Sequence, residues 1–195
     1  SIAFKNCDSL SKIEIPKNVT RIDGRAFGYC SALTSITVNE NNTVYDSRND
    51  CNAIVETATN KLIQGCSTTV IPNTVTTILR SAFEGCSALT SIEIPTGIEA
   101  IPPYCFYACT SLTSVSLPDS IISIETKSFR ECSALPKIDI PNSVSKISDS
   151  AFESCTALTS VLIPDSVKKL YPRAFCNCTS LQAVFLPKNI TDLPI

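Results

Sequence analysis

The sequence predicts a solenoid, a fold in which short coils of chain stack on one another around a continuous apolar interior. Three observations lead to this prediction. A Phe-x-x-Cys-x-x-Leu motif occurs seven times, and five of the six intervals between motifs are 23 residues long. A Pro follows the motif Cys by nine residues in six of the seven repeats. Leu, Ile and Val recur at fixed offsets around these landmarks, so each repeat carries the same face to be buried by its neighbours.

A period of 20 to 29 residues with Leu and Ile at fixed offsets is characteristic of leucine-rich repeats. The predicted fold class is therefore a leucine-rich-repeat solenoid: a β-rich right-handed coil with a parallel concave sheet, short second strands and short 3₁₀ turns, interrupted by a β-hairpin insertion. The motifs are Phe4/Cys7/Leu10, Phe27/Cys30/Leu33, Phe83/Cys86/Leu89, Phe106/Cys109/Leu112, Phe129/Cys132/Leu135, Phe152/Cys155/Leu158 and Phe175/Cys178/Leu181.

The sequence of each repeat predicts a coil made of three short segments, two strands and a turn. Val115 and Leu117 alternate with polar residues as one face of a strand requires, and Pro118 ends that strand because it has no N–H to donate. Apolar residues three apart, such as Ile121 and Ile124, then predict a second short strand on the opposite wall. The Ala-Phe-x-x-Cys segment predicts a 3₁₀ turn, since it is too short for a stable α-helix.

The regular period breaks between Cys30 and Cys86, which lie 56 residues apart. Residues 53–56 and 61–64 are rich in apolar residues and flank Thr-Ala-Thr-Asn, a pattern that predicts a β-hairpin. We therefore expect residues 1–195 to form a single solenoid domain with an irregular insertion at about residues 39–68. The chain begins in the middle of a repeat and contains no Met, so we expect it to be a fragment of a longer array.

Composition argues against several classes of function. The net charge of −2 and the pI near 5.2 offer no clustered basic surface for nucleic acid. No run of 18 apolar residues is present, so we expect no direct membrane insertion of this segment. The absence of His removes the usual general base, and neither a Gly-rich phosphate loop nor a C-x-x-C zinc motif occurs. We therefore expect no enzymatic activity and no cofactor or metal.

The eleven cysteines divide into two groups. Seven belong to the repeated motif, and we expect them to be small buried thiols. The other four leave the question of disulfides open, because Cys51 could bridge to Cys66, Cys105 to Cys109, and Cys176 to Cys178.

Two regions are candidates for ligand binding. The outward positions of the concave strands are mostly Ser and Thr, and the exceptions that we take as candidate ligand-binding residues are Glu93, Lys137, Asp139, Leu162, Ala183 and Phe185. Leu162 and Phe185 either lie beneath a downstream segment, stand alone on the surface, or form a hot spot for a partner. The insertion is the second region: it either carries function or only shields an edge or fills a kink. Its Asp46 and Asp50 hint at Ca²⁺ but match no known loop pattern.

Residues 81–95, with the sequence Ser-Ala-Phe-Glu-Gly-Cys-Ser-Ala-Leu-Thr-Ser-Ile-Glu-Ile-Pro, resemble the BspA-type (Treponema-type) leucine-rich repeat. The resemblance covers nearly the whole chain, and residues 44–56 resemble a segment that interrupts such arrays in gut bacteria. It implies a large secreted or surface-anchored protein of a bacterium or a protozoan parasite, associated with adhesion. It carries over no catalytic residue and fixes no ligand.

The expected function is thus non-enzymatic protein–protein recognition by a secreted or cell-surface adhesin, with a host matrix or microbial surface protein as partner. A structural spacer that projects another domain is the alternative. An enzyme is a remote third, because it needs a cleft with converging ionisable groups. The sequence leaves the ligand, the anchoring mode and the oligomeric state open.

Overall fold

The computed structural model describes residues 3–190 and 193, which form a β-solenoid of about eight coils. We number the coils by their motifs, from Phe4 in coil 1 and Phe27 in coil 2, through the insertion as coil 3, to Phe83 in coil 4 and Phe175 in coil 8. The strands in chain order are β1 (Lys12–Ile15), β2 (Ser35–Val38), β3 (Tyr45–Asp46), β4 (Ala53–Glu56), β5 (Lys61–Gly65), β6 (Thr77–Ile78), β7 (Ser91–Glu93), β8 (Ala100–Ile101), β9 (Ser114–Ser116), β10 (Ser123–Ile124), β11 (Lys146–Ile147), β12 (Ser160–Leu162), β13 (Lys169–Leu170) and β14 (Ala183–Phe185). The predicted leucine-rich-repeat solenoid is confirmed.

One wall, the concave face, is made of parallel strand pairs: β1 with β2, β7 with β9, and β12 with β14. The strand expected at residues 137–139 of coil 6 is absent, and this prediction was wrong. Pro136 explains the loss. The equivalent Thr113 donates its N–H to the carbonyl of Thr90 at 2.8 Å, whereas Pro136 has no N–H to give. Within the described residues, 137–139 make no backbone hydrogen bond to either neighbouring coil.

The opposite wall is a continuous parallel sheet in the order β13, β11, β10, β8. Each strand is two residues long and places its second residue inward, so that Ile101, Ile124, Ile147 and Leu170 form one buried row. These are the apolar residues three apart that predicted the second strands.

Stacked phenylalanine rings run along the interior between the two walls. Successive ring centroids from Phe83 to Phe175 lie 5.1, 5.3, 5.2 and 5.2 Å apart, and a separate pair, Phe4 and Phe27, lies 5.4 Å apart. Phe83, Phe106, Phe129 and Phe152 are fully buried. Such packing covers both faces of each apolar layer, which an isolated coil cannot do.

The segments around each Phe are overlapping β-turns rather than the 3₁₀ turns we expected. In coil 6, Lys127 and Glu131 have φ of 55° and 62°, and a left-handed residue on each side of Phe129 prevents a continuous helix. The turns instead bond to the next coil: the N–H groups of Phe129 and Glu131 donate to the carbonyls of Ala151 and Glu153 at 2.8 Å. Among the described residues the one 3₁₀ segment, Arg48–Asp50, lies in the insertion.

The predicted hairpin is present as β4 and β5, which pair antiparallel, with β3 added beside β4. It neither shields an edge nor hangs outside the array, because both of its faces are buried. Ile54 and Ile63 pack into the core of coils 1 and 2, whereas Val55 and Leu62 pack into the core of coils 4 to 8. The insertion therefore forms an internal layer that separates two apolar cores.

Gly65, at the end of β5, takes the place of the repeated Phe in coil 3. Its N–H donates to the carbonyl of Ala82 at 2.9 Å, as a motif Phe would, and its carbonyl lies 3.8 Å from the Cys86 sulfur. A Cβ at this position would overlap the Phe83 ring. Coil 3 thus keeps the backbone hydrogen bonds of a regular coil, and the Phe83 ring lies against Gly65 where a side chain would otherwise stand.

Candidate functional site: the concave face

Three of the candidate residues come together at the coil 7–8 end of the concave face. Leu162 and Phe185 are register partners on β12 and β14, with 66% and 58% of their surfaces exposed. Ala183 pairs with Ser160 at the start of the same two strands. The two large side chains therefore form one contiguous apolar patch, which we call the Leu162–Phe185 patch.

Lys137 and Asp139 lie on the neighbouring coil 6 and face solvent. Their Nζ and Oδ2 atoms are 3.5 Å apart, and 74% and 89% of these side chains are exposed, so the pair contributes little to stability. Both residues line a shallow depression of about 280 Å³ with residues 113–117 of coil 5. The depression lies where the absent strand of coil 6 would have paired.

Glu93 lies apart from the other candidates, in coil 4. It lines a groove of about 730 Å³ together with Asn49 from the insertion, Val70 and Pro72 from coil 3, and Ser114 from coil 5. We call this the coil-3 groove. The six candidates therefore occupy three places along the face rather than one strip.

The coil-3 groove exists because coil 3 is three residues shorter on this wall than a regular coil. Pro72 follows Cys66 by six residues, whereas Pro95 follows Cys86 by nine. The flanking turns are retained, since Thr69 N–H donates to the Cys66 carbonyl and Val75 N–H to the Pro72 carbonyl. The missing residues all come from the strand between those turns, and no strand is present at residues 66–72.

A cluster of aromatic and basic side chains on the turn side was not predicted. The cationic groups of Arg25, Arg80 and Lys127 lie 4.8, 5.6 and 5.6 Å from the ring centroid of Tyr104. Tyr107 meets the same ring edge-on at 6.0 Å. The signal was available, because the repeat at Phe106 alone has Tyr both two residues before and one residue after its Phe, but an average over repeats hides it.

This cluster joins coil 2 directly to coil 4. The N–H of Tyr29 donates to the carbonyl of Glu84 at 3.0 Å, so on the turn side the insertion does not come between coils 2 and 4. The Arg25 guanidinium lies 2.7 Å from the buried carboxylate of Glu84, so an ion pair also joins coil 2 to coil 4. Burial, and to a lesser degree the neighbouring Tyr107, raises the pKa of Tyr29, which keeps its hydroxyl protonated. We read the cluster as a structural clamp across the shortened coil.

The cysteines carry free thiols throughout, and the disulfides left open above do not form. Cys51, Cys66 and Cys105 are buried, and Cys176 is exposed. The motif thiols have a common role: Cys132, for example, donates its S–H to the carbonyl of Phe106 in the preceding coil at 3.2 Å.

The suggested Ca²⁺ position in the insertion is occupied by protein contacts. Asp46 accepts hydrogen bonds from Arg48 at 2.6 and 2.7 Å and from Thr57 at 2.8 Å. Burial would raise the pKa of Asp46, but these hydrogen bonds lower it overall. The Asp46 carboxylate therefore stabilises the loop through these hydrogen bonds. Residues 3–190 and 193 contain no group of three or more Cys, Asp or Glu side chains arranged to hold a metal ion.

The family model described as the BspA-type leucine-rich-repeat region matches six copies, over residues 1–60 and 99–194. The chain belongs to the BspA-type leucine-rich-repeat family. In the part of the BspA-type chain that the structure describes, no helix is long and apolar enough to cross a membrane.

Solved structures carry the same fold. A leucine-rich cell-surface protein of Faecalibacterium prausnitzii A2-165 is 33% identical over 91% of the BspA-type chain, with a TM-score of 0.79. The Treponema pallidum leucine-rich-repeat protein is 28% identical over 73% of the chain and 68% of its own length, with a TM-score of 0.60. The pneumococcal vaccine antigen PcpA, 21% identical over 90% of the chain with a TM-score of 0.77, shares the fold.

The BspA-type chain spans about half the length of two of these proteins, covering 48% of the Faecalibacterium protein and 44% of PcpA. A comparison with curated proteins finds no match.

Proposed function

We propose that this chain is a non-enzymatic recognition segment of a secreted or cell-surface adhesin, and that it binds a protein partner through its concave face. Membership of the BspA-type family supports a surface role, as does the 33% identical relative described as a cell-surface protein. Solenoids present extended surfaces of this kind for binding.

The observation that carries the proposal is the Leu162–Phe185 patch. Paired strands lie about 4.8 Å apart, so these two side chains lie side by side along an otherwise polar face. An exposed aromatic residue within a polar rim is the arrangement of an interface hot spot. The nearby Lys137 and Asp139 supply a charged rim of both signs, which suits a protein partner with an apolar anchor.

The test is the substitution Phe185→Asp. We expect it to weaken adhesion of the purified protein to its best-bound surface by at least about ten-fold, because a buried aromatic hot spot contributes about 2 kcal/mol or more. The probes are immobilised fibronectin, laminin and collagen, together with intact bacterial cells, read by surface plasmon resonance or cell-binding assay.

The matched control is Ile122→Asp, because Ile122 is also an exposed apolar residue, at 48%, but belongs to the opposite side of the coil. It should leave binding unchanged. Equal binding by Phe185→Asp and the unsubstituted protein would exclude the patch as the contact. Failure of the unsubstituted protein to bind any of these surfaces would favour the structural spacer.

A further inference from the structure

Strand β7 has one paired edge and one open edge. Toward β9, the carbonyl of Thr90 accepts from Ser114 at 3.3 Å, and the N–H of Ile94 donates to Ser116 at 3.0 Å. Successive residues of a strand point their backbone groups to opposite sides. Ser91 and Glu93 therefore point theirs away from β9, toward coil 3, and within the described residues these groups have no backbone partner.

The open edge faces the coil-3 groove. In a regular coil the place beside β7 would be filled by the strand of the preceding coil, and coil 3 lacks that strand because it is three residues short. The groove of about 730 Å³ occupies this position, a volume within the range of ordinary ligand sites. Two N–H and two C=O groups at strand spacing are thus presented along its wall.

We propose that the coil-3 groove binds an extended segment of a partner protein, which adds to β7 as a strand and completes the concave sheet. A polypeptide in β conformation is the ligand that offers alternating donors and acceptors at the spacing of Ser91 and Glu93. A protein commonly covers or blunts an open edge, and this one lies at the bottom of a groove instead.

The groove also selects side chains. Alternate residues of an added strand point inward and outward. The inward ones meet buried Cys51, Ile71 and Ile92, so they must be small and apolar. The outward ones lie beside Glu93, which is exposed and makes no ion pair within the described residues, and beside Val70, which is 72% exposed. The preferred segment alternates small apolar residues with Lys or Arg.

The inference does not rest on the Leu162–Phe185 patch, which lies three coils away along the face. Phe185→Asp should leave binding in the groove intact, and closing the groove should leave the patch intact. Failure of one proposal is therefore distinguishable from failure of the other.

The experiment is amide hydrogen exchange by NMR on the ¹⁵N-labelled chain, with the capped peptide Thr-Val-Lys-Val-Thr as the probe. At a peptide concentration ten times its Kd, the Ser91 and Glu93 amides should exchange about ten-fold more slowly than in the free protein. The amides of Ile92 and Ile94 already donate to coil 5, so their exchange should stay unchanged.

Two controls distinguish backbone pairing with β7 from non-specific binding of the peptide. The same peptide with its central amides N-methylated has lost its donors and should not protect Ser91 or Glu93. Val70→Trp should fill the groove and weaken peptide binding about ten-fold or more. The matched Ile122→Trp places the same indole on an exposed apolar site on the opposite side of the coil and should have no effect.

Three results would overturn the proposal. The first is slow exchange of the Ser91 and Glu93 amides in the dilute free protein. The second is equal protection by the N-methylated peptide, or no protection by the unmodified peptide up to millimolar concentration. The third is protection that depends only on protein concentration, which would make a second copy of this chain the occupant.

Discussion

A motif cysteine in this solenoid acts as a hydrogen-bond donor between coils. The thiols of Cys109, Cys132, Cys155 and Cys178 each lie 3.2 Å from the carbonyl oxygen of the motif Phe in the preceding coil. Periodicity predicted that these thiols are small and buried, but it could not predict their acceptor. That acceptor depends on the turn geometry, which a left-handed residue two positions after the motif Phe sets, and in the described coils only Gly85 is a glycine at that position.

The first prediction concerns Cys132. Cys132→Ala should lower the free energy of unfolding by about 1–2 kcal/mol, since it removes a buried donor and leaves a small void. Cys132→Ser keeps a donor and should lose less. Urea denaturation gives the comparison, with exposed Cys176→Ala as the control, expected within about 0.5 kcal/mol of the unsubstituted chain. An unchanged free energy for Cys132→Ala would show that the thiol contact contributes nothing.

The second prediction concerns pH. Burial raises the pKa of Cys178 from 9.0 to about 11. Between these values the unfolded chain releases a proton that the folded chain retains, so the free energy of unfolding should fall as pH rises from 9 to 11. Urea titrations across this interval measure the slope, and Cys178→Ala should reduce it. An equal slope in both proteins would refute the assignment.

At the scale of the element, coil 3 differs from a regular coil in three ways. It contains the β4–β5 hairpin, it has Gly65 in place of the motif Phe, and it is three residues shorter before Pro72. Its hairpin was predictable from two apolar runs around a polar turn. Its burial on both faces was not, because a hairpin inside an array and a hairpin on its surface have the same short-range pattern. The coil-3 groove was also missed, since it follows from a three-residue shortening whose effect depends on which strand loses a neighbour.

The third prediction concerns Gly65 in this coil. Gly65→Ala should destabilise the protein by about 1–3 kcal/mol, because the new methyl would overlap the Phe83 ring. The control is Gly24→Ala, whose methyl would lie 3.5 Å from its nearest neighbour and should be tolerated. Thermal or urea denaturation measures both. Equal stability of the two variants would contradict the placement of Phe83 over Gly65.

The fourth prediction concerns the interrupted strand in coil 6. Pro136→Thr restores the N–H that Thr113 and Thr159 use in their own coils. The new amide should donate to coil 5, and exchange of the amides in residues 137–139 should slow markedly. This break is visible in the sequence as a Pro in place of a repeated Thr. Unchanged exchange would mean that another feature of coil 6 prevents pairing.

For the whole molecule, the repeated motif predicted the solenoid, its two walls and its continuous apolar interior, because each depends on positions that recur in the regular coils. Function could be predicted only in part. The candidate residues occupy two fixed offsets of the repeat and differ from the usual Ser and Thr only in residue type. The structure distributes them among the Leu162–Phe185 patch, coil 6 and the coil-3 groove. Both proposed binding surfaces therefore lie where single coils depart from the repeat, and periodicity alone does not predict which departure binds a partner.

The most direct test of the stacked interior is a NOESY spectrum of the chain with ring-labelled Phe. It should show one unbroken series of ring-to-ring contacts from Phe83 through Phe106, Phe129 and Phe152 to Phe175, and a separate contact between Phe4 and Phe27. Absence of contacts among Phe106, Phe129 and Phe152 would contradict the fold, and with it both proposed binding surfaces.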